Sequence, residues 1–127
     1  MTVPSPEPFA SVVRAVTPDG AAIPVEPDSF TLSELPFEHR DRELLEIRVA
    51  RRSAGLWAVL KRGRWCLAAD GNWDLEHVPS ERKASWLAAH RFPLDEALER
   101  AQAAVPGLTC NGMTARQILA QEKGASP

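Results

Sequence analysis

The three histidines and two cysteines could supply metal ligands or a Cys/His nucleophile pair if the fold brings them together: His39, His77, His90, Cys66 and Cys110. Their spacing fits neither a zinc knuckle nor a redox pair. Cys66 is predicted in the middle of a strand among alanines, where a cysteine behaves as a small buried hydrophobic residue and not as a thiolate. His77 is predicted at a strand end, where it would hydrogen-bond at the sheet rim. Because fewer than three convergent polar groups can be named, we expect no catalytic residue, no cofactor and no enzyme activity.

Four oxygen-bearing side chains follow the spacing of a calcium-binding loop. Asp70, Asn72, Asp74 and Glu81 occupy positions 1, 3, 5 and 12 of that template. The glycine that the template requires at position 6 is Leu75 here, and the preceding element is predicted to be a strand instead of a helix. A hairpin turn explains the local sequence without a metal. The sequence therefore predicts no metal site. The alternatives are a cation bound by these four side chains and a small enzyme.

Basic residues near a tryptophan form the most specific pattern. Arg48, Lys61 and Arg64 are predicted to border Trp57, which is typical of a surface that binds phosphates and stacks bases. The pI near 5.9, the absence of tyrosine and the lack of any known RNA- or DNA-binding string argue against this interpretation. Strings typical of dinucleotide, P-loop, zincin and hydrolase sites are also missing. Nucleic acid is therefore kept as the alternative partner.

Charge is distributed unevenly behind a formal net charge of −2. Residues 1–39 contain six acidic residues and one basic residue, whereas residues 40–64 contain eight basic and three acidic residues. Such asymmetry indicates either an anionic partner for the middle of the chain or an acidic segment folded back on a basic one.

The length of 127 residues fits one domain. No apolar stretch reaches the roughly 18 residues of a membrane helix. The first residues contain prolines and a glutamate, not the basic and then apolar residues of a secretory leader. We therefore expect a cytoplasmic protein with no membrane partner. Seven of the eleven prolines lie within the first 36 residues. We predict a proline-rich segment over 1–27, disordered over 1–8 with a short hairpin over 11–25, then a single α+β domain over 28–123 and a frayed tail over 124–127. Residues 26–40 should form an irregular arm.

Four short runs predict a four-stranded antiparallel meander over residues 43–51, 56–61, 64–69 and 73–78. Each connection contains a glycine, which tight hairpin turns favour. The register that best buries apolar residues places Val49 opposite Ala58 and Leu60 opposite Trp65. The core face then consists of Leu45, Ile47, Val49, Leu56, Ala58, Leu60, Trp65, Leu67, Ala69, Trp73 and Leu75.

This register leaves an apolar patch on the second face of the sheet. The predicted binding residues there are Arg48, Trp57, Val59, Lys61, Arg64 and Cys66. A soluble monomer rarely exposes such a patch without a reason. We therefore predict a non-enzymatic protein-interaction or adaptor module that binds another protein, or a second copy of itself, through the face around Trp57. The structural alternative is that the arm, through Leu32, Leu35 and Phe37, or a helix covers it.

Helical patterns follow the sheet. Ser80 is a candidate N-cap for a helix from Glu81 to about Ala89. A second helix runs from Pro93 to about Ala104 with an apolar stripe, and Thr114 with Gln117 forms a capping box for a third. We expect two to three C-terminal helices packed on one face of the sheet.

Overall fold

A computed structural model of the chain describes residues 13–16, 18–20 and 22–124. The predictions of disorder over 1–8 and of a frayed tail beyond residue 124 lie outside these residues. The described chain has the predicted α+β class, with antiparallel strands preceding three C-terminal helices. No helix in this part of the chain combines the length and apolar character needed to span a membrane.

The elements alternate with short turns along the chain. The strands are β1 Val13–Val16, β2 Ala22–Val25, β3 Ser29–Ser33, β4 Glu46–Ser53, β5 Leu56–Lys61, β6 Trp65–Leu67, β7 Trp73–Leu75, β8 Thr109–Cys110 and β9 Met113–Thr114. The helices are α1 Ala84–His90, α2 Leu94–Ala104 and α3 Ala115–Gly124. Strands β1 and β2 pair as the predicted N-terminal hairpin, and β8 pairs with β9. Gly124, predicted to lie in the tail, is the last residue of α3.

The main sheet has five strands in the order β3–β4–β5–β6–β7, not the predicted four. The additional strand, β3, occupies the segment that was predicted to be irregular. Pro27 and Pro36 flank β3 without interrupting it, so its backbone donors remain available to pair with β4. Phe30 and Leu32 pair with Val49 and Ile47 and pack against the core.

The predicted register of β5 is wrong by one residue. Val49 pairs with Val59 instead of Ala58, because a bulge between Arg51 and Ser53 adds one residue to β4. A slip of one residue turns every side chain of a strand to the opposite face. Trp57 and Val59 therefore lie on the core face, whereas Ala58 and Leu60 lie on the second face.

A second irregularity restores the predicted orientation of the next strand. Lys61 pairs with Trp65, so the turn contains three residues instead of two. Its last residue, Arg64, has the left-handed φ of 68°. Leu67 pairs with Trp73, and the side chains of β6 and β7 consequently lie on the faces that the sequence predicts.

Helix α2 packs across β4 and β5 and closes the core. Its buried side chains, Leu94, Ala97 and Ala101, belong to the predicted stripe. The capping box of α3 is confirmed, because Thr114 N–H donates to the Gln117 side chain at 2.8 Å and Gln117 N–H donates to the Thr114 hydroxyl at 3.2 Å.

Two of the predicted helix details are wrong. Helix α1 begins at Ala84 and not at Glu81, because residues 79–81 form a separate 3₁₀ turn and Lys83 is extended. Ser80 is therefore not its N-cap. His90, the last residue of α1, and Arg91, which follows it, bond to Asp74 and Glu76 on the second face of the sheet, so the helical region is not confined to one face.

Helix α3 is joined to the connection between β3 and β4. The Nε2 atom of His39 lies 2.6 Å from Glu122 Oε1, and Arg116 Nε lies 2.6 Å from Glu34 Oε2. The Nδ1 atom of His39 accepts the backbone N–H of Asp41, so Nε2 carries a proton and donates to the carboxylate. These contacts link residues more than 80 positions apart.

Candidate anion-binding site

The predicted binding surface around Trp57 is not a surface. The side chains of Trp57 and Val59 are 0% exposed and belong to the core cluster. The ring of Phe30 lies 5.7 Å from that of Trp57. Leu35 is buried as well, whereas Phe37 is 79% exposed and covers nothing of that face. The prediction failed because the bulge in β4 inverted β5.

The second face of the sheet instead forms a groove of about 650 Å³. We call it the arginine groove. Its basic side chains are Arg48, Arg52, Lys61, Arg62, Arg64 and Arg82, and its acidic ones are Glu43, Glu46 and Glu76. Three predicted site residues, Arg48, Lys61 and Arg64, thus share one concave surface. The residues come from β4, the β5–β6 turn and the segment that follows β7.

Glu76 is the most buried carboxylate of the groove. Arg91 Nη2 lies 2.6 Å from Glu76 Oε1, and Arg82 Nη2 and Arg52 Nε lie 3.7 Å and 3.8 Å from the same oxygen. Burial alone would raise the pKa of Glu76, but hydrogen bonds from Arg91 and Cys66 and the nearby positive charges outweigh it and lower the pKa. The single negative charge of Glu76 is therefore shared by three arginines.

The remaining cations of the groove, Arg48, Lys61, Arg62 and Arg64, outnumber its remaining carboxylates, which are Glu46 and the exposed Glu43. Glu46 is bound by Arg42, at 3.0 Å. Within the described part of the chain, neither Arg48 nor Arg62 forms an ion pair. The guanidinium of Arg64 donates to the carbonyl oxygen of Glu76, at 3.4 Å.

The mutual repulsion of these cations is visible at Arg52. Burial lowers the pKa of its guanidinium, Glu76 opposes this effect, and the positive charges of Arg91, Arg82 and Arg48 lower the pKa further. An arginine stays charged at neutral pH despite such a shift. The groove consequently holds a concentrated positive charge that an anion would stabilise.

Cys66 lies beside Glu76 and is fully buried. Its thiol donates a hydrogen bond to the carboxylate. Burial, this hydrogen bond and the negative charge of Glu76 raise the pKa of the thiol to about 12. Cys66 therefore acts as a neutral hydrogen-bond donor below the groove and not as a binding surface or a nucleophile.

The structure brings His90 and Asp74 together, as a catalytic pair would require, but uses both ring nitrogens of the histidine. Nδ1 lies 2.7 Å from the carbonyl oxygen of Trp86, and Nε2 lies 2.8 Å from Asp74 Oδ2. The His90 ring is also stacked on the Trp86 ring, with centroids 4.3 Å apart, and the His77 ring stacks on Trp86 at 4.7 Å. No ring nitrogen of His90 is left to activate a nucleophile.

The calcium-like spacing does not form a cluster of ligands. Asn72 donates its backbone and side-chain N–H groups to the Asp70 carboxylate, at 2.9 Å and 3.1 Å. Asp74 faces His90 instead. Among the residues that the structure describes, no three His, Cys, Asp or Glu side chains are placed to hold one metal ion.

A second concavity lies on the opposite face of the sheet, next to the arginine groove. This tryptophan cleft measures about 680 Å³ and is walled by Trp65, Trp73 and the end of α2. Lys61 and Arg62 line both the cleft and the groove. The Lys61 ammonium lies 4.6 Å from the centre of the Trp73 ring, whereas Trp65 is 38% exposed.

The predicted site residues do not include Arg52, Arg82 and Arg91. Arg52 lies in β4 and lines the groove, and the two others come from the flanks of α1, whose return to the second face has no local signal. Glu76 was correctly assigned to this face by the alternation of β7.

Comparison of the chain with protein-family models, curated proteins and solved structures gave no match.

Proposed function

We propose that the protein is a non-enzymatic binding module that takes a phosphate-bearing ligand in the arginine groove. The observation that carries this proposal is the imbalance of charge in one concavity. Glu76 is shared by three arginines, Glu46 is engaged by Arg42, and Arg48 and Arg62 have no ion pair among the described residues.

The geometry suits phosphate better than a carboxylate. Arginine presents several N–H donors in a planar fork that matches phosphate oxygens, and a phosphate can accept from more than one fork at once. The arginines approach from β4, from the β5–β6 turn and from the segment around Pro79. A ligand with at least two negative charges would compensate the positive charges of these guanidinium groups and allow them to lie closer together.

The proposal differs from a protein-interaction module at the Trp57 face. That face is packed beneath α2, so its occupation by a partner would require the core to open. Arg48, Lys61 and Arg64 keep the binding role that the sequence predicts for them, while Trp57 and Val59 are left to the core and Cys66 lies beneath the groove.

The experiment uses inorganic tripolyphosphate as the probe and isothermal titration calorimetry at low salt. Wild-type protein should bind it, and Arg48→Ala should weaken binding about tenfold, since a charged hydrogen bond contributes roughly 1.5 kcal/mol or more. Arg40→Ala is the matched control, because Arg40 is 78% exposed and lies outside the groove. Absence of binding by the wild type, or equal losses in Arg48→Ala and Arg40→Ala, would overturn the proposal.

A further inference from the structure

We infer that the ligand is a single strand of nucleic acid, whose phosphates lie in the arginine groove and one of whose bases stacks on Trp65 in the tryptophan cleft. This inference rests on the proposed function. It adds an aromatic subsite to the anion site, and this subsite specifies the class of ligand.

The two concavities adjoin at the end of β5. Lys61 and Arg62 line both of them, although the groove lies on the second face of the sheet and the cleft on the core face. A ligand that occupies both must pass over the β5–β6 turn. Successive nucleotides can do this because each carries a phosphate and a base on a flexible backbone, whereas inorganic phosphate cannot.

Trp65 has the features of a stacking platform. It is 38% exposed at the end of a strand, and its indole is held against the turn at Gly63. A Cβ at Gly63 would lie 3.1 Å from two atoms of that indole, so glycine allows the ring to approach the backbone closely. Trp73 is different, because Lys61 already lies over its ring.

Charge and aromatic character therefore coincide at one turn. Arg62 and Arg64 are exposed on either side of Gly63, directly before Trp65 in the chain. Aromatic stacking tolerates every base, while cations follow the backbone, which is the usual combination in proteins that bind single strands. A duplex is less suitable, since its bases are stacked within the helix and do not reach an isolated indole.

The test compares a fluorescein-labelled oligo(dT) strand of about 12 nucleotides with an abasic strand of the same length, by fluorescence anisotropy. The wild type should bind oligo(dT) about tenfold more tightly than the abasic strand, and Trp65→Ala should remove that difference. Trp65→Phe should retain most of it. Leu75→Ala is the control for general loss of apolar surface, because Leu75 pairs with Trp65 but lies outside the cleft.

The outcomes separate this inference from the proposed function. Equal affinities for the two strands, with tripolyphosphate still bound, would overturn the inference and leave the arginine groove intact. If the wild type binds no tripolyphosphate, both the inference and the proposed function are overturned. Thymidine monophosphate that binds as tightly as the strand would show a free-nucleotide site and also contradict the inference. A phosphoserine peptide that matches oligo(dT) and depends equally on Trp65 would assign the site to protein partners and contradict it as well.

A second readout detects stacking in the unlabelled wild-type protein. Stacking of a base on Trp65 should quench tryptophan fluorescence of the wild type on addition of unlabelled oligo(dT), and tripolyphosphate should not. If oligo(dT) quenches Trp65→Ala to the same extent, Trp65 is not the platform and the inference fails.

Discussion

Glu76 and its arginines illustrate how one residue can serve both stability and binding. The carboxylate is 8% exposed and Arg91 is 7% exposed, so neither charge can be removed without leaving the other in a region of low polarity. At the same time this carboxylate limits how much positive charge the groove offers to a ligand. We expect the two effects to be separable by mutation.

Glu76→Gln should lower the free energy of unfolding by about 3 kcal/mol, since it leaves the buried charge of Arg91 without its partner. Added tripolyphosphate should recover more stability in this variant than in the wild type, because the anion replaces the missing charge. Chemical denaturation with and without tripolyphosphate measures both effects. Glu81→Gln, at an exposed position, is the control and should change stability by less than about 0.5 kcal/mol. Equal recovery in both variants would contradict the expectation.

The same carboxylate predicts a dependence of stability on pH. Because the pKa of Glu76 is lower in the folded protein than its ordinary value of 4.5, its contribution is complete above that pH and is lost as the pH falls through the folded value. The stability difference between wild type and Glu76→Gln should therefore be constant near neutral pH and shrink below pH 4.5. Denaturation midpoints across this range test it, and a difference that grows on acidification would refute it.

Cys66 gives a chemical prediction at the same scale. With a pKa of about 12 and no exposed surface, its thiol should not react with a disulfide reagent in the folded protein at mildly alkaline pH, whereas the half-buried Cys110 should react. The absorbance of the released thiolate should report one equivalent in the native state and two after unfolding. Cys110→Ser should then show none in the native state. Two rapid equivalents from native wild type would contradict the assignment of Cys66 to the interior.

The β5–β6 turn joins stability and function within one short element. Arg64 adopts a left-handed φ of 68°, a conformation that costs a residue with a Cβ roughly 1 kcal/mol. Its side chain nevertheless places a cation in the arginine groove. Arg64 therefore combines an unfavourable backbone conformation with a charged side chain in the groove.

Arg64→Gly should consequently raise stability by roughly 0.5 kcal/mol, since relief of strain exceeds the added flexibility of the unfolded chain. It should also weaken tripolyphosphate binding about tenfold, in the manner of Arg48→Ala. Thermal unfolding and calorimetry on the same sample separate the two outcomes. Gly63→Ala provides the opposite control and should destabilise the turn, because φ is +94° and the new Cβ meets Trp65. A destabilised Arg64→Gly variant would contradict this account of the turn.

Elements with strong local signals could be predicted from the sequence. The stripe of α2 and the capping box of α3 depend on residues three or four positions apart, and both are confirmed. The inversion of β5 could not be predicted, because neither the bulge at Arg52 nor the left-handed Arg64 has a distinctive local pattern. Strand β3 was missed since nearby prolines outweighed the alternation of Phe30 and Leu32.

These errors explain why the cations of the candidate site were assigned correctly and its aromatic ring was not. Arg48 and Arg64 were assigned to the correct face because β4 and the strand after the turn keep their predicted orientation. Trp57 was assigned to the wrong face, and the exposed indole belongs to Trp65 instead. The combination of cations and an aromatic ring could thus be predicted, while the identity of the ring depended on the register.

At the scale of the whole molecule, the acidic and basic segments meet at one defined ion pair among the residues that the structure describes. Glu26 binds Arg51 at 3.1 Å, but Arg51 lies over the Trp57 ring at 5.1 Å and not in the groove. The net charge of −2 therefore conceals a positive groove. A protein of this charge can still attract an anion over short distances, where local charges exceed the net field.

Binding of oligo(dT) should accordingly weaken with salt. If about four arginines each contact one phosphate, the logarithm of the association constant should fall with the logarithm of salt concentration with a slope of about −3. Arg48→Ala should reduce the magnitude of that slope by about 0.7, and Arg40→Ala should leave it unchanged. Anisotropy titrations at several salt concentrations measure it. A slope near zero in the wild type would contradict phosphate contacts in the groove.

The two ion pairs that join α3 to the β3–β4 connection affect how the chain can fold while it is being synthesised. Ala115 and Ile118 complete the core, and Glu122 bonds to His39. The sheet strands are therefore made well before the helix that contributes the last residues of the core cluster. We expect the nascent chain to stay incompletely closed, and dependent on protection from aggregation, until residue 122 has left the ribosome.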